Sequence, residues 1–268
     1  MSESIEIKQS SSKGANGTQI GVFNQYTGLS PADAVAMALK IFQEYYPQMK
    51  SEILEEIREA VFAKLKDEPV EQIVAPNPRI AFPAIQNACI TPEISIREMY
   101  EEVLASSMRE SVKDGVHPGF VDIIRQLCPD EAKILHYMKY ESVIPTITVR
   151  YETKEGGGFN RVSDFSIVGE MLQCEYPFKV AEYFDNLCRL GLTINHGELS
   201  SLTDKKKYEP LKNHPLIKEQ LNEKTIKEKG YARSRVQESY VSLTSFGKSF
   251  CSVCIEFKPL IIRQPTYE

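Results

Sequence analysis

The chain has 268 residues, with 32 Lys and Arg against 37 Asp and Glu and a net charge of −5. Apolar residues make up 42% and charged residues 26%, a balance that excludes wholesale disorder, and no apolar run is long enough to span a membrane as a helix. The acidic balance argues against a general nucleic-acid binder, and the N-terminus lacks the apolar stretch of a secretory signal, so the expectation is a cytoplasmic protein, with length favouring two domains.

Residues 1–29 form a leader rich in Ser, Gly, Asn, Gln and Thr. Within it, residues 14–26 place Asn and Gly at turn-like intervals around Ile20, Val22 and Phe23. Two readings stand open: a flexible tail, or a short β-element that orders only by pairing with copies of itself. In the second reading Gln19, Ile20, Gly21, Val22, Phe23 and Asn24 carry homo-oligomerisation.

Ser30 and Pro31 open a helix as N-cap and first residue, and Pro47 ends it. A second helix sets Ile53, Ile57, Val61 and Leu65 opposite Glu55, Glu56, Arg58 and Glu59, an amphipathic pattern with a solvated face. A proline-bearing loop over 73–83 leads to a short helix, Phe82–Ala88, and then to a longer one, Ile94–Lys113. His117-Pro118 and Pro129-Asp130-Glu131 each open a further helix. The expectation is a helical domain over 30–142, a bundle of short antiparallel helices.

From 143 the period changes. Ile147–Tyr151 alternates like a strand, and Gly156–Gly158 reads as a flexible linker. A helix over Pro177–Leu190 stops at Gly191, and a short strand, Leu192–Ile194, follows. A Lys-rich insertion over 197–238 separates it from the strand Tyr240–Leu243 and a last helix, Lys248–Ile255. Helix, strand, wing, strand, helix is the order of a winged-helix domain, here over 143–268 with the wing replaced by the insertion. The fold class is therefore α+β, mainly α with a small β component.

Chemistry is sparse. Cys251 and Cys254 form the sole C-x-x-C, but they fall in an apolar helix and read as buried structural thiols. His117 reads as a helix cap and Asp130-Glu131 as acids that complement a helix dipole. No catalytic, cofactor-binding or metal-binding set emerges. The one basic region, residues 204–238, carries ten Lys and Arg against six acids. Lys205, Lys206, Lys207, Arg233 and Arg235 are its candidate phosphate contacts, with Tyr208 and Tyr231 as candidate stacking rings. Against DNA reading, the presumed recognition helix carries Glu182 and Asp185.

Three stretches together carry a resemblance. They are His117-Pro-Gly-Phe-Val-Asp-Ile-Ile-Arg-Gln-Leu-Cys-Pro-Asp-Glu-Ala-Lys-Ile-Leu135, Tyr183-Phe-Asp-Asn-Leu-Cys-Arg-Leu-Gly-Leu192 and Leu243-Thr-Ser-Phe-Gly-Lys-Ser-Phe-Cys-Ser-Val-Cys254. They resemble the core motifs of the abortive-infection alpha family of bacterial proteins, and Asn16–Asn24 is similar to a leader seen on many members. His117, Pro118, Pro129, Asp130, Asp185, Asn186, Gly191 and Gly247 are the motif residues expected to be structural. Cys128 stands where Ser or Thr is usual, which weakens that helix cap. The resemblance implies phage defence in which an infected cell stops growing or dies before progeny emerge. It supplies no reaction, so the expected partner is a phage or host protein bound without catalysis. The alternative is a winged-helix regulator that binds nucleic acid.

Overall fold

The computed structural model describes residues 51–197 and 200–265, together with Ala36 and Lys40. The leader, including Gln19–Asn24, and most of the helix opened by Ser30 lie outside the described residues. The described chain is α+β: helices on one side of a four-stranded antiparallel sheet, with the insertion on the other.

Five helices precede the sheet: α1 Ser51–Leu65, α2 Pro78–Ile90, α3 Ile94–Met108, α4 Gly119–Ile124 and α5 Pro129–Tyr140. In α1, Leu54, Ile57, Val61 and Leu65 are buried at helical spacing. α2 begins a turn earlier than the sequence pattern indicates. Asn77 Oδ1 accepts from Arg79 N–H at 3.0 Å and Pro78 stands at the first position, a start signal hidden among the loop prolines. α3 ends at Met108 rather than 113, because the chain turns extended there and Arg109 bridges Ile73. Glu101 to Met108 are all buried, for α3 is packed by α1, α2, α4 and α5.

The sheet holds β1 Val143–Glu152, β2 Gly158–Phe165, β3 Thr193–Asn195 and β4 Arg233–Leu243, in the order β2-β1-β4-β3. Gly156–Gly158 is not a linker between domains. It belongs to the hairpin joining β1 to β2, with Gly156 at φ +87°. After β2 come α6 Val168–Met171 and α7 Val180–Arg189, and α11 Ser245–Cys254 follows β4.

The β1–β4 register is unbroken, so alternation divides the side chains into two sets. Ile147, Val149 and Tyr151 face the insertion. Ile144 and Val241 face a helical core that runs from Leu54 to Ile255 and includes Phe184, Leu187, Phe250, Cys251 and Cys254.

The insertion is folded rather than a plain polar stretch. A single 3-10 turn, Lys205–Tyr208, leads to α8 Glu209–Asn213, α9 Pro215–Leu221 and α10 Glu223–Glu228. Asp204, His214 and Asn222 each accept from the N–H two residues on, which caps three of these short turns. Tyr208, Leu211, Ile217 and Ile226 are thinly spaced in sequence, yet all are buried against Ile147, Val149 and Tyr151.

Two motif glycines are required by geometry. Gly191 ends α7 at φ +72°, while Leu192 N–H reaches back to Leu187 C=O at 3.0 Å. A Cβ on Gly247 would lie 1.9 Å from the Leu192 carbonyl oxygen, so α11 approaches the α7–β3 turn as closely as only glycine permits.

Candidate interaction cleft

The first two motif stretches meet at the start of α5. Pro129 occupies its first turn, and Glu131 Oε2 accepts from the Cys128 N–H at 2.8 Å. The neighbouring carboxylate, Asp130, is 4% exposed and accepts from Glu175 N–H (3.0 Å), Tyr176 N–H (3.1 Å), Tyr183 Oη–H (2.9 Å) and Lys133 Nζ (3.2 Å). Burial opposes ionisation of Asp130, but these donors outweigh it and hold its carboxyl below the ordinary value. Glu131 Oε1 accepts from Asn186 Nδ2 at 2.8 Å, and Asn186 Nδ2 also reaches the Gln126 carbonyl at 3.1 Å. Arg189 completes the lacing, donating to Asn186 Oδ1 at 2.6 Å and to Gln126 Oε1 at 3.1 Å.

The acids of Asp130-Glu131 therefore do more than complement a dipole. They join α5 to α7 and to the segment before it. Reading each motif separately missed this; the one signal was that Tyr183 and Asn186 stand three apart on one helix face. Over the join lies an open cleft of about 510 Å³. Gln126, Leu127, Cys128, Glu131, Tyr183 and Asn186 form its motif-derived wall, and Arg125, Tyr176, Lys179 and Glu182 its rim. Lys179 and Glu182 stand 3.9 Å apart and are exposed, so the rim is charged but mixed in sign.

The groups in and near this cleft are poorly suited to nucleophilic chemistry. Burial, and then the bond to Asp130, push the Tyr183 hydroxyl well up. Burial raises the Cys128 thiol and pushes Cys174 up to about 12. In the C-x-x-C, burial pushes Cys251 up to about 12 and Cys254 far above its ordinary value, and both lie inside the helical core.

The other candidates are dispersed. His117 Nδ1 accepts from the Gly119 N–H at 3.0 Å, beside Pro118 at the start of α4, and its exposed ring leans on Phe120 and Phe246. Asp185 projects from the exposed side of α7. Lys205 pairs with Glu238 at 2.7 Å on the insertion side of the sheet, where Lys212 meets the same carboxylate. Lys206 and Lys207 are exposed beside it. Arg233 and Arg235 oppose Glu152 and Arg150 on the helical side, with Arg233 held by Glu152 at 2.6 Å. The sheet thus divides the five basic candidates. Tyr208 cannot stack on a base as it stands: it is 0% exposed, and its hydroxyl oxygen accepts from the Leu202 N–H. Tyr231 packs on Tyr151 and Phe159.

Among the described residues, no group of three or more His, Cys, Asp or Glu could hold a metal ion, and no helix is long and apolar enough to cross a membrane.

A family model described as Abortive infection alpha matches residues 49–254. No curated protein matches the chain. Among solved structures, an uncharacterized protein from the hydrocarbon-degrading marine bacterium Alcanivorax borkumensis SK2 is 16% identical. The likeness covers 50% of this chain and 90% of that one at a TM-score of 0.34, a level at which nothing carries over.

Proposed function

The chain belongs to the abortive infection alpha family, and from that premise we propose that it defends a bacterium against phage by binding a phage or host component. The observation that carries the binding reading is the cleft between α5 and α7. Two family motifs build its wall, every buried carboxylate oxygen in that wall is spent on holding the elements together, and the thiols and tyrosine beside it are raised away from reactivity. Residues 180–254 act in this reading as a winged-helix-like element whose wing is the folded insertion. The exposed side of α7 carries Glu182 and Asp185, which suits a protein partner better than a phosphate backbone. The leader, through Gln19–Asn24, supplies self-association.

The test is a phage challenge of cells expressing the protein, at low and high multiplicity. Protection at low multiplicity with cell death at high supports abortive infection. The charge-reversing pair Lys179→Glu and Glu182→Lys should abolish protection while leaving the thermal midpoint unchanged. Retained protection in that variant would remove the cleft from the mechanism. Salt-sensitive duplex binding that depends on Lys205–Lys207 would favour the regulator instead. Removal of residues 1–28 should lower the mass in solution if the leader joins copies.

A further inference from the structure

Four buried side-chain atoms among the described residues have no hydrogen-bond partner: Glu102 Oε2, Thr146 Oγ1, Gln237 Oε1 and Ser239 Oγ. Glu102 is compensated by charge, with Lys64 Nζ 3.6 Å from that oxygen and Arg109 on the other at 3.0 Å. The remaining three are neighbours. Thr146 stands opposite Ser239, and Thr148 opposite Gln237, on the two central strands. All four belong to the face that carries Ile144 and Val241 into the helical core. Thr148 has found a partner, since its Oγ1 accepts from the Asp164 N–H at 3.2 Å.

The next row outward on this face sets Arg150 opposite Arg235. Arg150 donates to two neutral acceptors, Asn160 Oδ1 and the Gly158 carbonyl. Arg235 is exposed and makes no ion pair among the described residues. Like charges directly opposite across strands repel, so this row gains from an anion between its guanidinium groups. One row further, Arg233 is already neutralised by Glu152. Exposure falls inward from the arginines: Thr148 is 9% exposed, Gln237 8%, Ser239 5% and Thr146 0%.

A face needed only for packing would carry aliphatic residues here, as it does at Ile144 and Val241. Unpaired polar atoms deep in a fold disfavour the folded state, and such groups persist where function uses them. We infer that this face binds a small phosphorylated polyol, with the phosphate between Arg150 and Arg235 and the hydroxyls directed to Gln237, Ser239 and Thr146. The amide oxygen of Gln237 demands a donor, while the Ser and Thr hydroxyls take either role. A sugar hydroxyl supplies both. The rows from Arg150 to Thr146 span about 13 Å of strand, which the long arginine side chains reduce towards the length of a pentose phosphate.

The test is thermal unfolding of the full chain with ribose 5-phosphate, inorganic phosphate or ribose. Ribose 5-phosphate at tenfold over its dissociation constant should raise the midpoint by about 3–6 °C, inorganic phosphate less, and ribose not at all. Arg235→Glu should abolish both responses. Thr146→Val and Gln237→Leu should leave the phosphate response and remove the excess due to the sugar, while raising the ligand-free midpoint. Those two substitutions are mild enough to keep the fold, and the ligand-free midpoint reports on it directly. Equal responses to phosphate and ribose 5-phosphate, or no response to either, would overturn the assignment. So would a shift that duplex DNA produces and ribose 5-phosphate does not.

Discussion

Two buried polar regions of this molecule are built on opposite terms. At the start of α5, Asp130 and Glu131 accept from backbone, amide, hydroxyl and ammonium donors, so a buried pair of carboxylates is almost fully satisfied. On the inner face of the sheet, Thr146, Gln237 and Ser239 leave three oxygens unpaired. The first arrangement is architecture: remove a piece and its partners are stranded. The second is a standing penalty: remove a piece and the fold gains. Buried polarity alone therefore does not distinguish a strut from a site, but the state of its hydrogen bonds does.

The largest effect that separates the two regions is Asp130→Ala. It strands the Glu175 and Tyr176 N–H groups and the Tyr183 hydroxyl in a buried place, and should cost about 3–5 kcal/mol in chemical denaturation. A loss under about 1 kcal/mol would mean that these bonds do not hold α5 to α7. Gly247→Ala tests a different strut. Its Cβ must push the Leu192 carbonyl aside, and a destabilisation of about 1–3 kcal/mol is expected.

Acid should act through the same node. The Asp130 carboxyl is held below 3.8 in the folded chain, whereas the unfolded chain titrates near that value. The stability it contributes is thus complete above 3.8 and drains as pH falls through the lower, folded value. Acid unfolding followed by circular dichroism should show this loss in the wild-type chain. In Asp130→Asn the loss should shrink, because no proton binds there.

Much of this contrast lay beyond what the sequence can disclose. The strut was half legible: Pro129-Asp130-Glu131 declares a helix start, and Tyr183 and Asn186 declare a helix face. Their meeting depends on how α7 docks, which no local pattern records. Gly191 was fully legible, since its role is a local backbone angle, whereas Gly247 owes its role to Leu192, far away in sequence. The helical N-terminus of the insertion segments was obscured by lysines, because the apolar residues that bury it are sparse and the caps are of three different residue types. The orphaned face was invisible for a sharper reason. Thr, Gln and Ser alternating along a strand look like a solvated side, and only the β1–β4 register places them opposite one another on the core side.

The smallest effect is also the one with the unusual sign. Thr146→Val keeps the shape of the side chain, replaces an unpaired hydroxyl with a methyl group, and should stabilise the ligand-free protein by about 1 kcal/mol. Most core substitutions destabilise, so a gain here is hard to produce by accident. Ser239→Ala gives weaker support, since it removes the hydroxyl without replacing its volume and leaves a small void. If Thr146→Val instead destabilised by as much as Gly247→Ala, its hydroxyl would have to be making a bond that holds the sheet to the helices. The inner face would then belong with Asp130, among the struts, and the contrast between the two regions would be gone.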